Sequence, residues 1–306
     1  MTLPNVLLIG AMKAGTTGLY LDLATHPKVF MAQDKEPQCL CSDQVLSEAG
    51  QREYASRYAG AHGSQLTIDA STNYAKRPEY DGVVRRALDV LPEGFKVIYL
   101  VRHPIERIIS QHHHEHTAGL VSGTADAQIR RHARYLDYSS YAYQLQPWVD
   151  AIGHERILVV RFEDYATQRL EVVQQVGEFL GLSRDGFNIN LEKIHNQSAG
   201  KPVPTSQWKR VAGNPIYKKV LRGLLPPKLR LAIRQWILPS APERPVGPHR
   251  ATLDWLHESL ADEVHQLSRM LDRTEPLWPD FANSKQTTLP PTQYANENVE
   301  QVVPSS

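Results

Sequence analysis

The chain has 306 residues, of which 41% are hydrophobic and 22% are charged, and its formal net charge is +1. This composition predicts a globular protein with a sizeable core, and the balanced charge argues against a nucleic-acid-binding surface. No run of 18 apolar residues occurs, so we expect no transmembrane helix. The N-terminus lacks the basic region of a signal peptide, and Cys39 and Cys41 are typical of reduced thiols, which together favour a cytoplasmic location.

The first predicted elements are a strand, a glycine-rich loop and a helix. Residues 5–9, NVLLI, form an apolar run between Pro4 and Gly10, which is typical of a buried strand in a parallel sheet. The loop GAMKAGTTG follows, and apolar residues then recur at helical spacing until Pro27. A helix is therefore expected to begin directly after the loop.

The middle of the chain continues this alternation. Apolar runs predict further strands at 65–71, 96–102 and 156–162, and helical patterns lie at 81–91, 105–116, 140–152 and 167–181. Strands that alternate with helices indicate an α/β fold. We predict a P-loop-like, three-layer fold with a central, mostly parallel sheet flanked by helices.

The composition changes after about residue 190. From Lys193 to Pro242 there is no Asp or Glu but ten Lys or Arg. Within this stretch, residues 216–238 predict two basic amphipathic helices, which offer peripheral contact with an anionic surface. One more amphipathic helix is predicted at 253–271. We assign residues 1–282 to a single domain and expect the polar tail, 283–306, to be disordered.

The glycine-rich loop has the composition of an anion cradle. Gly10 and Gly15 let the backbone approach an anion closely, and N–H groups at the start of a helix point toward it. Thr16 and Thr17 add hydroxyl donors, and Lys13 adds a positive charge. In the G-x-x-x-x-G-K-[ST] nucleotide-binding loop the lysine follows the second glycine, and the next hydroxyl holds Mg²⁺. Because Lys13 lies inside the loop instead, we expect an anion that needs no magnesium.

Four segments together resemble the sulfotransferases that use 3′-phosphoadenosine 5′-phosphosulfate (PAPS). PNVLLIGAMKAGTTGLY (4–20) resembles their 5′-phosphosulfate loop, and VIYLVRHPIERIIS (97–110) resembles their 3′-phosphate-binding strand and helix. KEPQCL (35–40) is similar to a segment of the heparan-sulfate-type and bacterial branch, and RILVVRFEDY (156–165) to the next part of the pattern. The resemblance implies an enzyme that moves a sulfuryl group by in-line displacement from PAPS to a hydroxyl or amine of a small molecule or glycan.

The resemblance also implies which residues hold the donor nucleotide. The cofactor-binding set is Lys13, Ala14, Gly15, Thr16, Thr17, Arg102, Ser110 and Lys201. Within it, Arg102 and Ser110 are expected at the 3′-phosphate, and Lys201 in a segment that closes over the cofactor. Lys13 is expected to stabilise charge on the leaving phosphate, since a sulfonate with one negative charge can be served by lysine instead of a metal.

Two residues are candidates for the base that removes the acceptor proton. Glu36 occupies the position of the catalytic glutamate in the branch that the chain resembles. His114 follows Ser110 by one helical turn on the same face, where the N-sulfotransferase-like pattern has a histidine. Ser71, Tyr74 and Tyr141 are further candidates for contacts with the acceptor, since strand ends in α/β sheets face the ligand crevice.

Other functions fit parts of the sequence. A P-loop kinase or NTPase with a degenerate loop would need Mg²⁺ and a carboxylate such as Asp69, and a non-enzymatic module would bind an anionic glycan or membrane through 193–242. His112 and His116 have spacing that could hold zinc, but the H-E-x-x-H order and a third ligand are missing. We therefore predict a sulfotransferase without a metal.

Overall fold

The computed structural model describes residues 1–32, 34–63, 65–192 and 245–282. Its centre is a sheet of five parallel strands, in the spatial order β2-β3-β1-β4-β5. The strands are β1 (Val6–Gly10), β2 (Val29–Met31), β3 (Leu66–Ala70), β4 (Lys96–Val101) and β5 (Ile157–Arg161). The predicted strands are confirmed. The three-residue edge strand β2 was not predicted, because it is too short to display a period.

Helices connect the strands and cover the sheet. In chain order they are α1 (Thr16–Leu23), α2 (Glu48–Ser56), α3 (Val83–Val90), α4 (Pro104–Thr117), α5 (Ala125–Arg131), α6 (Arg134–Asp137), α7 (Tyr141–Ile152), α8 (Phe162–Thr167), α9 (Arg169–Leu180) and α10 (Arg250–Met270). The helices predicted from periodicity between residues 16 and 192, and at 253–271, are confirmed with small shifts of their ends. The expected P-loop-like α/β architecture is therefore confirmed.

The core lies at the centre of the sheet. Strand β1 is buried over its whole length, and all residues of β4 after Lys96 are buried. Both strands are buried on two faces, which is why their sequences are continuous apolar runs and do not alternate. Helix α10 packs against α7 and α4. Because all strands are parallel, the segments that follow β1, β3, β4 and β5 meet at one edge of the sheet.

Several sequence predictions fall outside the described ranges. Lys201, the acid-free segment 193–242 and the tail 283–306 belong to this group. Their predicted roles, the domain boundary at residue 282 and the cytoplasmic location stay predictions. Among the helices that the structure describes, none is long and apolar enough to cross a lipid bilayer.

Candidate active site

The glycine-rich loop joins β1 to α1 at the centre of the sheet edge. The Ala11 N–H donates to the Leu100 carbonyl at 2.5 Å, and the Ala14 N–H donates to the Ala11 carbonyl at 3.0 Å. Lys13 and Gly15 have left-handed backbones, with φ of 70° and 92°. The loop therefore curls tightly over the end of β4 and delivers the chain to the N-terminus of α1, where backbone N–H groups without helical partners favour an anion.

Gly15 is required by its surroundings as well as by its backbone. A Cβ atom built at this position would lie 2.8 Å from two carbons of the Phe162 ring. Phe162 follows β5 and is half-buried. Its ring also lies under the Arg102 guanidinium, 5.2 Å from the ring centroid. The sequence did not assign this aromatic residue a role, because only the adjacency of β4 and β5 brings it to the loop.

Arg102 reaches the loop from the end of β4. Its Nη1 donates to the Lys13 carbonyl at 3.5 Å and its Nη2 to the Glu106 carboxylate at 3.3 Å. The Tyr141 hydroxyl donates to the Arg102 carbonyl at 2.7 Å. Tyr141 is 1% exposed, so it supports the Arg102 backbone, and its prediction as an acceptor contact is not borne out by this placement. Two predicted anion-binding residues, Lys13 and Arg102, are thus brought together.

Helix α4 carries Ser110 and His114 one turn apart along its length. Its first residue is Pro104, and the His103 ring accepts from the Glu106 N–H at the helix start. Ser110 is half-buried and His114 lies at the surface of the helix. The pKa of the His114 imidazole is lowered, first by burial of part of the ring and then by the positive charge of Lys13. His114 is therefore close enough to the loop to respond to its lysine.

Glu36 lies in a strained turn after β2. The backbones of Glu36 and Gln38 are left-handed, with φ of 61° and 57°. The Glu36 carboxylate accepts from Lys35 Nζ at 2.8 Å and from the Thr72 hydroxyl at 3.4 Å, and its side chain is 29% exposed. Left-handed residues other than glycine are rare and concentrate at functional sites. Lys13 and Glu36, the two residues with predicted chemical roles in loops, both have this conformation.

The histidine run on α4 gives no metal site within the described residues. His112 and His116 lie with their ring centroids 5.9 Å apart, and His112 is 2% exposed. However, the described ranges contain no group of three or more His, Cys, Asp or Glu side chains that could hold a metal ion. The zinc alternative therefore gains no support from the fold.

Residues 3–202 match the family model described as "Sulfotransferase domain". This chain belongs to the sulfotransferase family. It is 26% identical over 251 residues to heparan sulfate glucosamine 3-O-sulfotransferase 3A1 of Mus musculus, which covers 72% of this chain and 59% of the relative. It is 25% identical over 204 residues to bifunctional heparan sulfate N-deacetylase/N-sulfotransferase 1 of Homo sapiens, covering 59% of this chain and 22% of that protein. The predicted family is confirmed.

A solved structure agrees with the fold. The sulfotransferase from Alicyclobacillus acidocaldarius superposes with a TM-score of 0.61 at 19% sequence identity, covering 89% of this chain and 97% of that one. The kinase or NTPase alternative loses its support, because the family match includes the loop on which that alternative rested. The chain spans less than two thirds of the length of the two curated relatives named above.

The end of β3 in this chain is closed to solvent. Asp69 is 0% exposed, and its carboxylate accepts from the hydroxyls of Ser71, Tyr54 and Tyr74. Asp69 is thus fully used by protein groups and is not available for Mg²⁺. Ser71 and Tyr74 are 0% and 2% exposed. They were predicted as acceptor contacts, but the fold turns their hydroxyls into the protein.

Lys76 is a charged residue of this site that the sequence analysis missed. Its Nζ donates to Asn73 Oδ1 at 2.6 Å and lies 5.5 Å from the centroid of the Tyr138 ring. The pKa of Lys76 is lowered mainly by burial, while the negative charge of Glu36 acts to raise it. Lys76 in turn contributes to lowering the pKa of His114. Its only signal in the sequence is its position shortly after a strand, which is too common to select it.

The candidate site therefore has two parts. One is an anion-binding part, made of the loop after β1, Arg102 and the Phe162 ring. The other holds the two candidate bases, Glu36 and His114. Lys13 belongs to the first part, and its charge reaches His114 in the second. Group transfer to a hydroxyl or amine requires a proton acceptor and a fixed cation, and Glu36, His114 and Lys13 are residue types that can supply them.

Proposed function

We propose that this chain catalyses transfer of a sulfuryl group from PAPS to a hydroxyl or amine of a carbohydrate or small metabolite. The observation that carries the proposal is the contact between the Arg102 guanidinium and the Lys13 carbonyl. This contact supports the proposal because arginine is the side chain best suited to bidentate phosphate contacts, and Arg102 lies beside a loop lysine and the start of a helix. The site thus offers two neighbouring anion positions, and PAPS has an anionic group at each end of its ribose.

The residues present fit this nucleotide. Gly15 lets the Phe162 ring pack directly against the loop, since a Cβ there would lie 2.8 Å from two of its carbons. The backbone N–H groups of the loop, with Thr16 and Thr17, would hold the 5′-phosphosulfate. Arg102 would hold the 3′-phosphate, as would Ser110, and the Phe162 ring offers an aromatic face for the purine.

Each reacting group is served by a residue of this chain. PAPS supplies, when bound, a sulfuryl group whose departure leaves negative charge on a phosphate oxygen. Lys13 provides a fixed positive charge for that oxygen, in the role that a metal ion has in kinases. Glu36 accepts the acceptor's proton, and its salt bridge with Lys35 holds the carboxylate in place. His114 orients the acceptor, and its lowered pKa keeps the imidazole neutral.

The acceptor class rests on the relatives. Their names describe sulfation of heparan sulfate at a 3-O position and at nitrogen, and both acceptor atoms belong to a glycan. A glycan hydroxyl or amine is therefore the acceptor we propose first. Assay of radiolabelled sulfuryl transfer to a panel of desulfated glycans and small alcohols tests this choice, and transfer only to small alcohols would overturn it.

Titration calorimetry tests the donor. The product 3′-phosphoadenosine 5′-phosphate should bind without a metal, and AMP, which lacks the 3′-phosphate, should bind at least tenfold more weakly. Arg102→Met should bind the bisphosphate and AMP with nearly equal affinity, because the loss of a charged hydrogen bond is worth about 1.5–3 kcal/mol. Tight binding of ATP–Mg²⁺ without binding of the bisphosphate would refute the proposal.

Turnover measurements test the chemical roles. Lys13→Ala and Glu36→Gln should each lower turnover by about 10²-fold or more. Lys28→Ala is the matched control for Lys13, since Lys28 is an exposed lysine beyond the end of α1, and it should leave turnover unchanged. Near-normal turnover of Glu36→Gln together with a large loss in His114→Gln would assign the base to His114.

A further inference from the structure

Asp69 is a buried carboxylate whose hydrogen bonds come from three neutral hydroxyls. Its Oδ1 accepts from Ser71 at 2.6 Å, and its Oδ2 accepts from Tyr54 at 2.6 Å and from Tyr74 at 2.7 Å. Burial raises the pKa of Asp69, and the three hydroxyls act in the opposite direction because they stabilise the charged form. A carboxyl group at this depth needs hydrogen-bond partners, and these three hydroxyls supply them.

Two of the three hydroxyls also accept hydrogen bonds from backbone amides, and so connect Asp69 to another part of the chain. The Ser71 hydroxyl accepts from the Gln38 N–H at 3.0 Å, and the Tyr74 hydroxyl accepts from the Leu40 N–H at 3.3 Å. A hydroxyl has one proton and two lone pairs. Because a carboxylate can only accept, it fixes each proton toward Asp69 and leaves the lone pairs facing the two amides.

The amides that these hydroxyls hold follow Glu36 by two and four residues in the chain. The Glu36 N–H donates to the Ala70 carbonyl at 3.1 Å. The end of β3 and the residues just after it therefore accept hydrogen bonds from the N–H groups of three alternate residues: Glu36, Gln38 and Leu40. Two of them, Glu36 and Gln38, have left-handed backbones, a conformation that persists only when the surroundings impose it.

We propose that Asp69 is a positioning residue that fixes the Glu36 turn through Ser71 and Tyr74. The inference rests on the proposed function only in giving Glu36 the role of base. Asp69 itself touches no reacting group, since it is enclosed by its hydroxyl partners. Its removal should let the two hydroxyls rotate, which frees the amides and lets the Glu36 carboxylate leave its place beside the acceptor.

Asp69→Asn tests the proposal, because the amide keeps the shape but cannot accept at both positions. We expect kcat to fall at least tenfold, with the affinity for 3′-phosphoadenosine 5′-phosphate unchanged, since the residues proposed to hold that ligand lie after β1 and β4. Tyr54→Phe is the matched control: it removes a hydrogen bond of 2.6 Å from the same carboxylate, against 2.7 Å for Tyr74, but Tyr54 lies in α2 and its hydroxyl is not bonded to the turn. Tyr74→Phe should lower kcat, whereas Tyr54→Phe should change it less than twofold.

A double variant distinguishes positioning from general stability. If Asp69 acts through Glu36, Asp69→Asn should cost little further activity in the Glu36→Gln background. Equal effects in both backgrounds, a parallel loss of nucleotide affinity, or equal effects of Tyr54→Phe and Tyr74→Phe would each overturn the proposal.

Hydrogen exchange gives a readout that does not depend on catalysis. The amides of Gln38 and Leu40 should exchange faster in Asp69→Asn than in the wild type or in Tyr54→Phe. Unchanged exchange would overturn the proposed link from Asp69 to these amides, whatever the turnover of the variant. Failure of the wild type to bind the bisphosphate would instead refute the proposed function, while faster exchange in Asp69→Asn would still support the link from Asp69 to the amides. If Asp69→Asn does not fold, Tyr74→Phe with the same exchange measurement at Leu40 decides the question.

Discussion

Replacing Gly15 by alanine perturbs the loop at its tightest point. Gly15 has φ of 92° and ψ of 12° at the start of α1, and the added Cβ would lie 2.8 Å from the Phe162 ring. Gly181 provides a matched control, because it has φ of 82° and ψ of 23° at the end of α9. A Cβ at Gly181 would meet nothing within 4 Å. The two substitutions therefore share the backbone effect and differ in the clash.

The structure gives the expected magnitudes. A left-handed residue other than glycine costs about 1–2 kcal/mol, and both variants carry this cost. Overpacking against a ring that cannot move away costs about 1–3 kcal/mol more. Gly181→Ala should therefore lower the free energy of unfolding by about 1–2 kcal/mol and Gly15→Ala by about 2–5 kcal/mol. The unfolded chain gains the same restriction from either alanine, so that contribution cancels in the difference.

Denaturant unfolding of both variants measures these costs. The Phe162→Leu substitution tests the clash, because it replaces the ring by a smaller side chain. In a Phe162→Leu background, Gly15→Ala should cost no more than Gly181→Ala does in the wild type. Calorimetry should also find weaker binding of 3′-phosphoadenosine 5′-phosphate to Gly15→Ala and unchanged binding to Gly181→Ala. Equal stability losses for the two glycines, or a cost at Gly15 that Phe162→Leu does not reduce, would refute the reasoning.

Three other features give independent predictions. Arg169→Ala removes the guanidinium that pairs at 2.6 Å with Asp22, which is 1% exposed, and should lower the free energy of unfolding by about 3–5 kcal/mol in a denaturant titration; a loss below about 1 kcal/mol would contradict this. In an NMR titration, the midpoint of His114 should lie below that of the urea-unfolded chain, because burial and nearby positive charge disfavour the imidazolium; equal midpoints would argue against it. Burial raises the pKa of Cys39 to about 11 and that of Cys41 to about 12. At pH 8, iodoacetamide should therefore alkylate them at least about 10²-fold more slowly than in urea, and similar rates by mass spectrometry would contradict the prediction.

The amino-acid sequence by itself determined the central sheet, the anion loop and the family. Strands β1 and β4 are continuous apolar runs because they are buried on both faces, so their pattern is readable locally. The loop is also readable locally, because its anion-binding composition is contained in six residues that include Gly10, Lys13 and Gly15. The position of Arg102 near the loop could also be predicted from the sequence, since Arg102 follows a recognisable strand.

Only the tertiary structure decided what each side chain faces. Ser71 and Tyr74 follow a strand and were expected to meet the acceptor, yet both hydroxyls turn inward to Asp69. Lys76 and Phe162 lie in the site although no sequence pattern assigned them to it. The hydroxyls of Ser71 and Tyr74 meet Asp69 nearby in the chain, whereas the ring contacts of Lys76 with Tyr138 and of Arg102 with Phe162 join residues far apart. The fold alone brings these distant residues within reach. Local patterns record whether a residue is buried, but its partners depend on which strands become neighbours.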